Sequence, residues 1–173
     1  MPLLTIVHYP DPVLLRVGRP VGDDEFGPAL ASLVDNMFET MYDARGVGLA
    51  APQVGVSKRL FVMDVPDEDG GSQKKVFINP EIVHIEGQQV GEEGCLSFPG
   101  VFQTVKREMR VIARAQDLNG DTFEEDLTEL AARCVLHETD HCDGIVFLDR
   151  MTSLKRELAR RRIKKLQKTG EWV

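Results

Sequence analysis

The sequence predicts an α+β fold, with antiparallel strands packed around a central helix and a basic helix closing the C-terminal end. Three observations lead there. A block of short β-branched and aromatic runs fills the middle of the chain, a segment of helical periodicity stands on either side of it, and Asn119-Gly120-Asp121 offers a tight hairpin turn. At 173 residues, with 42% hydrophobic and 28% charged content, the chain suits one globular domain spanning 1–173. No repeat, low-complexity tract or interdomain linker interrupts it.

The opening segment carries Pro10, Pro12 and Pro20 around Val13-Leu14-Leu15, which predicts an extended, turn-rich arm. A helix is expected from about Pro28 to Tyr42. Proline fits its first turn, Leu30, Leu33, Val34, Met37, Phe38 and Met41 follow helical spacing, and Gly46 ends it. Strands are expected at 60–65, 76–78 and 82–85, with Gly70-Gly71 giving turn freedom between the first two. One or two more fall between Val101 and Ala115. A second helix is expected over about Glu125 to Cys142, and a third from about Ser153.

Charge is unevenly shared. Residues 155–173 hold eight basic and two acidic side chains, a net of +6, while residues 1–154 are left at −13 within a total of −7. A basic helix on an acidic body suits contact with a polyanion, RNA foremost, or is simply a solvated helix. No run of about 18 apolar residues exists to span a membrane, and the first residues lack the pattern of a signal peptide. A cytoplasmic location is expected. Cys95, Cys134 and Cys142 are too sparse for a disulfide framework, which leaves metal binding, reactivity or plain burial.

The sharpest chemical signal is His137-Glu138-Thr139-Asp140-His141. Histidines four apart on a helix share one face and can reach one cation, which would make water a nucleophile near neutral pH. The intervening glutamate can take and return the proton. His8 and His84 lie outside this pattern and read as ordinary histidines. An open metal site needs a third ligand. A metalloprotease-type third histidine is absent, because that position is Phe147, and Glu157 sits in the basic tail. Upstream, Glu93-Gly94-Cys95-Leu96-Ser97 offers a thiolate suited to borderline cations. Gly46-Val47-Gly48-Leu49-Ala50-Ala51-Pro52-Gln53 follows a helix, so it is no dinucleotide fingerprint; its small residues imply close backbone approach, with Gln53 supplying an amide.

These three blocks, in this order, resemble the peptide deformylase family, with its G-Φ-G-Φ-A-A-x-Q, E-G-C-L-S and H-E-x-D-H patterns, and the similarity extends over nearly the whole chain. The resemblance implies metal-dependent removal of the formyl group from the N-terminal formylmethionine of nascent chains, releasing formate. It implies Cys95, His137 and His141 as ligands of one divalent metal ion, ferrous in the cell, with zinc or nickel able to substitute. Glu138 takes the acid/base role, and the amide of Gln53 with the backbone N–H of Leu96 forms an oxyanion hole. Substrate pairs as an added strand with Val47, Gly48 and Gly94. Arg107 aligns with a substrate-contacting arginine, and Arg133 with a pocket position that is often apolar. The partners implied are formylmethionyl nascent chains and, through the basic helix, the ribosome; neither membrane nor DNA is expected, and the protein is expected to be monomeric.

Leu136 and Cys142 depart from the family, which usually carries Gln and Leu there. A helical wheel sets Cys134 near the histidines and Cys142 beside Glu138, as packing or, for Cys142, as a source of oxidation sensitivity. Two rivals stay open at this point. A general metalloprotease would cleave internal peptide bonds, and a catalytically dead ribosome-binding relative would lose its ligands, its glutamate or Gln53, all of which are present.

Overall fold

The structure is a computed structural model that describes residues 3–172. Its elements are α1 (Pro28–Asp43), β1 (Gly48–Ala50), β2 (Leu60–Asp64), β3 (Lys74–Glu86), β4 (Gln89–Gly94), β5 (Phe102–Arg107), β6 (Arg110–Gln116), β7 (Thr122–Thr128), α2 (Glu129–Cys142) and α3 (Ser153–Lys168). Five strands form one antiparallel sheet in the order β1-β2-β3-β6-β7, and β4 pairs with β5 in a separate two-stranded ladder. The α+β expectation holds.

β2 explains how the layers stack. All five of its residues are buried, so both faces of the sheet are covered there. Leu60 and Val62 join Leu30, Val34, Met37 and Met41 of α1, while Phe61 and Met63 join Ala132, Val135 and Leu136 of α2. Successive strand side chains point to opposite faces, so one strand supplies both layers. The result is α1, then sheet, then α2, with the β4–β5 ladder on the far side of α2. A third cluster ties the N-terminal arm and α3 together around Phe98 and Phe147.

Two expectations change. The segment 122–128 is a strand, although its glutamates favour a helix. Phe123, Glu125 and Leu127 alternate with more exposed neighbours, and the Asn119-Gly120 turn folds them onto β6, where Arg110 and Arg114 bond Asp126 and Glu124. The expected runs 76–78 and 82–85 are one strand with a register irregularity between Ile78 and Glu81. Asn79 there has φ 54°, and its side chain bonds Val21 and Gln116. The basic segment is the helix expected from about Ser153, and it is docked on the body through the buried Ala159, Ile163 and Leu166.

Phe77 is fully buried, stacked on Phe61 with ring centres 4.8 Å apart and tilted against Phe123 at 5.4 Å. Phe77→Ala is expected to destabilise the fold by about 3–5 kcal/mol, seen as a lower urea midpoint with an unchanged slope.

Candidate metal centre

α2 places His137 and His141 one turn apart on one face, with ring centres 5.0 Å apart. Cys95 follows the last residue of β4, and its thiol, with the two imidazoles, forms a set of ligand atoms all within 4.8 Å of one another. Cys95 Sγ lies 3.3 Å from His141 Nε2.

The tautomer of His137 is fixed by its neighbour. Its Nδ1 lies 2.6 Å from Glu93 Oε2, and an ionised carboxylate can only accept, so Nδ1 carries the proton and Nε2 keeps a free lone pair. Glu93 also accepts from Arg107 Nε (3.0 Å) and Nη2 (2.8 Å) and from Arg133 Nη1 (2.9 Å). Burial pushes its carboxyl up, but bonding from His137 and Arg107 outweighs this and holds it well below the usual range, so it stays ionised. A thiol, two imidazoles and a fixed tautomer fit a borderline divalent cation with one position left open.

Glu138 is 4% exposed, and its Oε1 has no hydrogen-bond partner among the described residues. Burial pushes its carboxyl up to about 7, which suits a group that must both gain and lose a proton near neutrality. Gly48 packs directly against it: a Cβ there would sit 2.7 Å from Glu138 Oε2 and 2.8 Å from Cys134 Sγ. Gln53 turns its Oε1 to the Ala50 N–H (2.9 Å), which aims Nε2 at Ser97 Oγ (3.2 Å) and Cys95 Sγ (3.5 Å).

Cys95, His137 and Glu138 open onto a cleft of about 430 Å³, lined on one wall by Gly46, Val47 and Gly48, on another by Gly94, Cys95 and Leu96, and by Arg133, Cys134, His137 and Glu138 of α2. Of the residues assigned from sequence, Gln53 and His141 are buried behind the cleft lining, in reach of Cys95, and Arg107 is not at the cleft. Its Nε and Nη2 bond Glu93, its Nη1 bonds Asp140 at 2.7 Å, and it is 5% exposed, so it braces the site from behind. Strand alternation is the reason: Arg107 shares the inward face of β5 with Val105, while Phe102 stands at the cleft. Cys134 lines the cleft, as its helical position suggested. Cys142 is fully buried against the sheet, in the packing role first expected of it; burial pushes its thiol up to about 12, so the alternative of oxidation sensitivity has no accessible thiolate behind it.

Two positions were quoted from sequence without a role. Glu93 orients His137, and Asp140 accepts from Arg107 and from Arg150 Nε (3.0 Å) and Nη2 (2.8 Å). The available signal was an acid pair between two glycines in a strand, and an acid inside the histidine repeat. Replacing Glu93 with Gln is expected to weaken metal affinity by about tenfold or more. A competition titration with a chromophoric chelator would show it, and unchanged affinity would remove Glu93 from this role.

Comparison with known proteins agrees with this geometry. The family model described as polypeptide deformylase matches residues 3–157. Peptide deformylase from Acidobacterium capsulatum is 52% identical over 172 residues, covering 99% of this chain and 100% of that one. The Chromobacterium violaceum protein of the same name is 47% identical, covering 97% and 98%. Among solved structures, peptide deformylase from Legionella pneumophila superposes with a TM-score of 0.88 at 43% identity, covering 98% of both chains. With the family model spanning most of its length and half of its residues shared with a full-length relative, the chain belongs to the polypeptide deformylase family, metal-dependent enzymes that remove N-formyl groups.

Proposed function

We propose that this enzyme acts on the N-formyl group of formylmethionyl nascent chains, with Cys95, His137 and His141 holding the metal and Glu138 moving the proton. The single observation that supports these roles best is the buried, unpartnered Glu138 carboxyl beside the Cys95–His137–His141 set. When bound, a divalent cation supplies Lewis acidity and lowers the pKa of water. Glu138 takes a proton from the attacking water and returns it to the departing amine nitrogen, so the formyl C–N bond breaks to formate and a free α-amine. Gln53 Nε2 and the Leu96 N–H donate to the oxygen on which charge develops. The substrate backbone lies as an added strand between Val47-Gly48 and Gly94, with its methionine side chain turned toward Leu130, Arg133 and Cys134 of α2.

The donor set suits ferrous iron, our proposal for the native metal, and also zinc or nickel. Anaerobic purification with metal analysis tests this, and a stoichiometric metal other than iron would overturn it. We further propose one cytoplasmic, monomeric catalytic domain over 1–173. Among the described residues no helix is long and apolar enough to cross a membrane. Ribosome contact through the outer face of α3 completes the reading.

Glu138→Gln is expected to abolish formate release from a formyl-Met peptide while metal content stays stoichiometric; near-normal turnover of the metal-loaded variant would refute its role. Gly48→Ala, which forces Glu138 aside, is expected to lower turnover by about a hundredfold with metal retained. For α3, Arg160, Lys164 and Lys168 form an exposed stripe, whereas truncation would strip Ile163 and Leu166 from the core. Changing the stripe to Glu is expected to reduce co-sedimentation with ribosomes without shifting the melting temperature, and undiminished co-sedimentation would remove the ribosome from the list of partners.

A further inference from the structure

The β4–β5 ladder has two distinct faces. Gln89, Gly91 and Glu93 turn inward: Gln89 bonds the Glu129 carbonyl, a Cβ on Gly91 would sit 3.3 Å from Arg133 Nη2, and Glu93 bonds Arg133 and His137. Val90, Glu92 and Gly94 therefore turn outward, as the exposure of Val90 and Glu92 agrees. Directly opposed residues of an antiparallel pair share a face, so Phe102, opposite Gly94, is outward too.

Phe102 does not lie idle on that face. Its ring folds across Gly94, where an added Cβ would come within 2.5 Å of Cε1, so it rests on the residue just before the ligand Cys95. It lines the cleft and remains 63% exposed. Across the opening, Val47 also lines the cleft and is 40% exposed. Covering a strand glycine would account for the position of the ring. It leaves unexplained why the other side of an aromatic faces open solvent at the mouth of the cleft.

The alternation of an extended substrate supplies a reason. Resting on the strand-pairing reading above, a first side chain directed inward to α2 obliges the second to point outward. That is the face on which Phe102 stands. We infer that Phe102 is a specificity-determining residue, receiving the side chain that follows formylmethionine and favouring large apolar or aromatic residues there. The occupant is the substrate itself, because the patch is continuous with the cleft that holds the scissile group. An aromatic second residue can stack on the exposed ring, and a leucine can bury against it and Val47, whereas serine or aspartate gains neither.

The test is a comparison of kcat/KM for formyl-Met-Phe, formyl-Met-Leu, formyl-Met-Ser and formyl-Met-Asp peptides with the metal-loaded wild type, Phe102→Ala and Phe102→Leu. Wild type is expected to prefer Phe over Ser by about fivefold, mostly through KM, since an aromatic contact of this kind is present before and during reaction. Phe102→Ala should bring that ratio close to one, and Phe102→Leu should restore the preference for Leu more than for Phe. A ring that only protects Gly94 would lower all four peptides together and leave the ratio where it was, which overturns the inference. Equal use of all four peptides by wild type also overturns it, while the deformylase reading stands; absence of formate from every peptide removes both. Light scattering across a concentration series covers the remaining occupant. A dimer lost in Phe102→Ala, with selectivity unmoved, assigns the patch to self-association instead.

Discussion

Glu93 holds the centre of this molecule together. Its carboxylate accepts hydrogen bonds from two groups on α2, Arg133 and His137, and from Arg107 on β5, while its own backbone belongs to β4. Two neighbouring strands and a helix some 40 residues further on thus converge on two oxygen atoms with almost no exposure to water. Removing one partner from such a group is costly, because the remaining charges stay buried and uncompensated. The cluster also does what apolar packing cannot: it gives His137 a defined tautomer and a defined ring orientation, and so sets the direction of a ligand lone pair. Arg107 extends the same network to Asp140, and Asp140 to Arg150, so the helix turn between the two ligand histidines is braced as well.

Around that cluster the local electrostatics diverge. Glu93 is kept charged by four donors, whereas Glu138, as deeply buried, has an oxygen with no partner among the described residues and a carboxyl pushed toward neutrality. Two acids in one site are therefore separated by environment into a fixed anion and a group able to exchange a proton. Glycine at position 48 is part of that separation, since any larger residue would crowd the Glu138 carboxyl.

The group of Cys95, His137 and His141 that could hold a metal was legible in the sequence because helical periodicity places residues four apart on one face, and because the three blocks occur together. α1 and α3 were legible for the same reason of period. What stayed hidden depended on pairing between distant strands. Residues 122–128 carry helix-favouring glutamates, and only the ladder with β6 makes them a strand. Arg107 was expected at the substrate and Phe102 was passed over, because the face each residue takes follows from the register of β4 with β5, which no single-segment pattern reveals. Cys142 was placed beside Glu138 by the helical wheel, yet a wheel does not say which face meets the sheet.

The sheet ends at β1 in a strand of three residues, Gly48–Ala50, paired on one side with β2. Unpaired backbone donors and acceptors at a sheet edge invite any extended chain, including a second copy of the same protein, and long flat edges are aggregation hazards. At three residues, with glycine at its start, this edge is too short to template an intermolecular sheet, yet long enough to hold a few peptide groups in register. Brevity here lets the protein keep an open hydrogen-bonding edge in a crowded solution without becoming a seed for its own polymerisation.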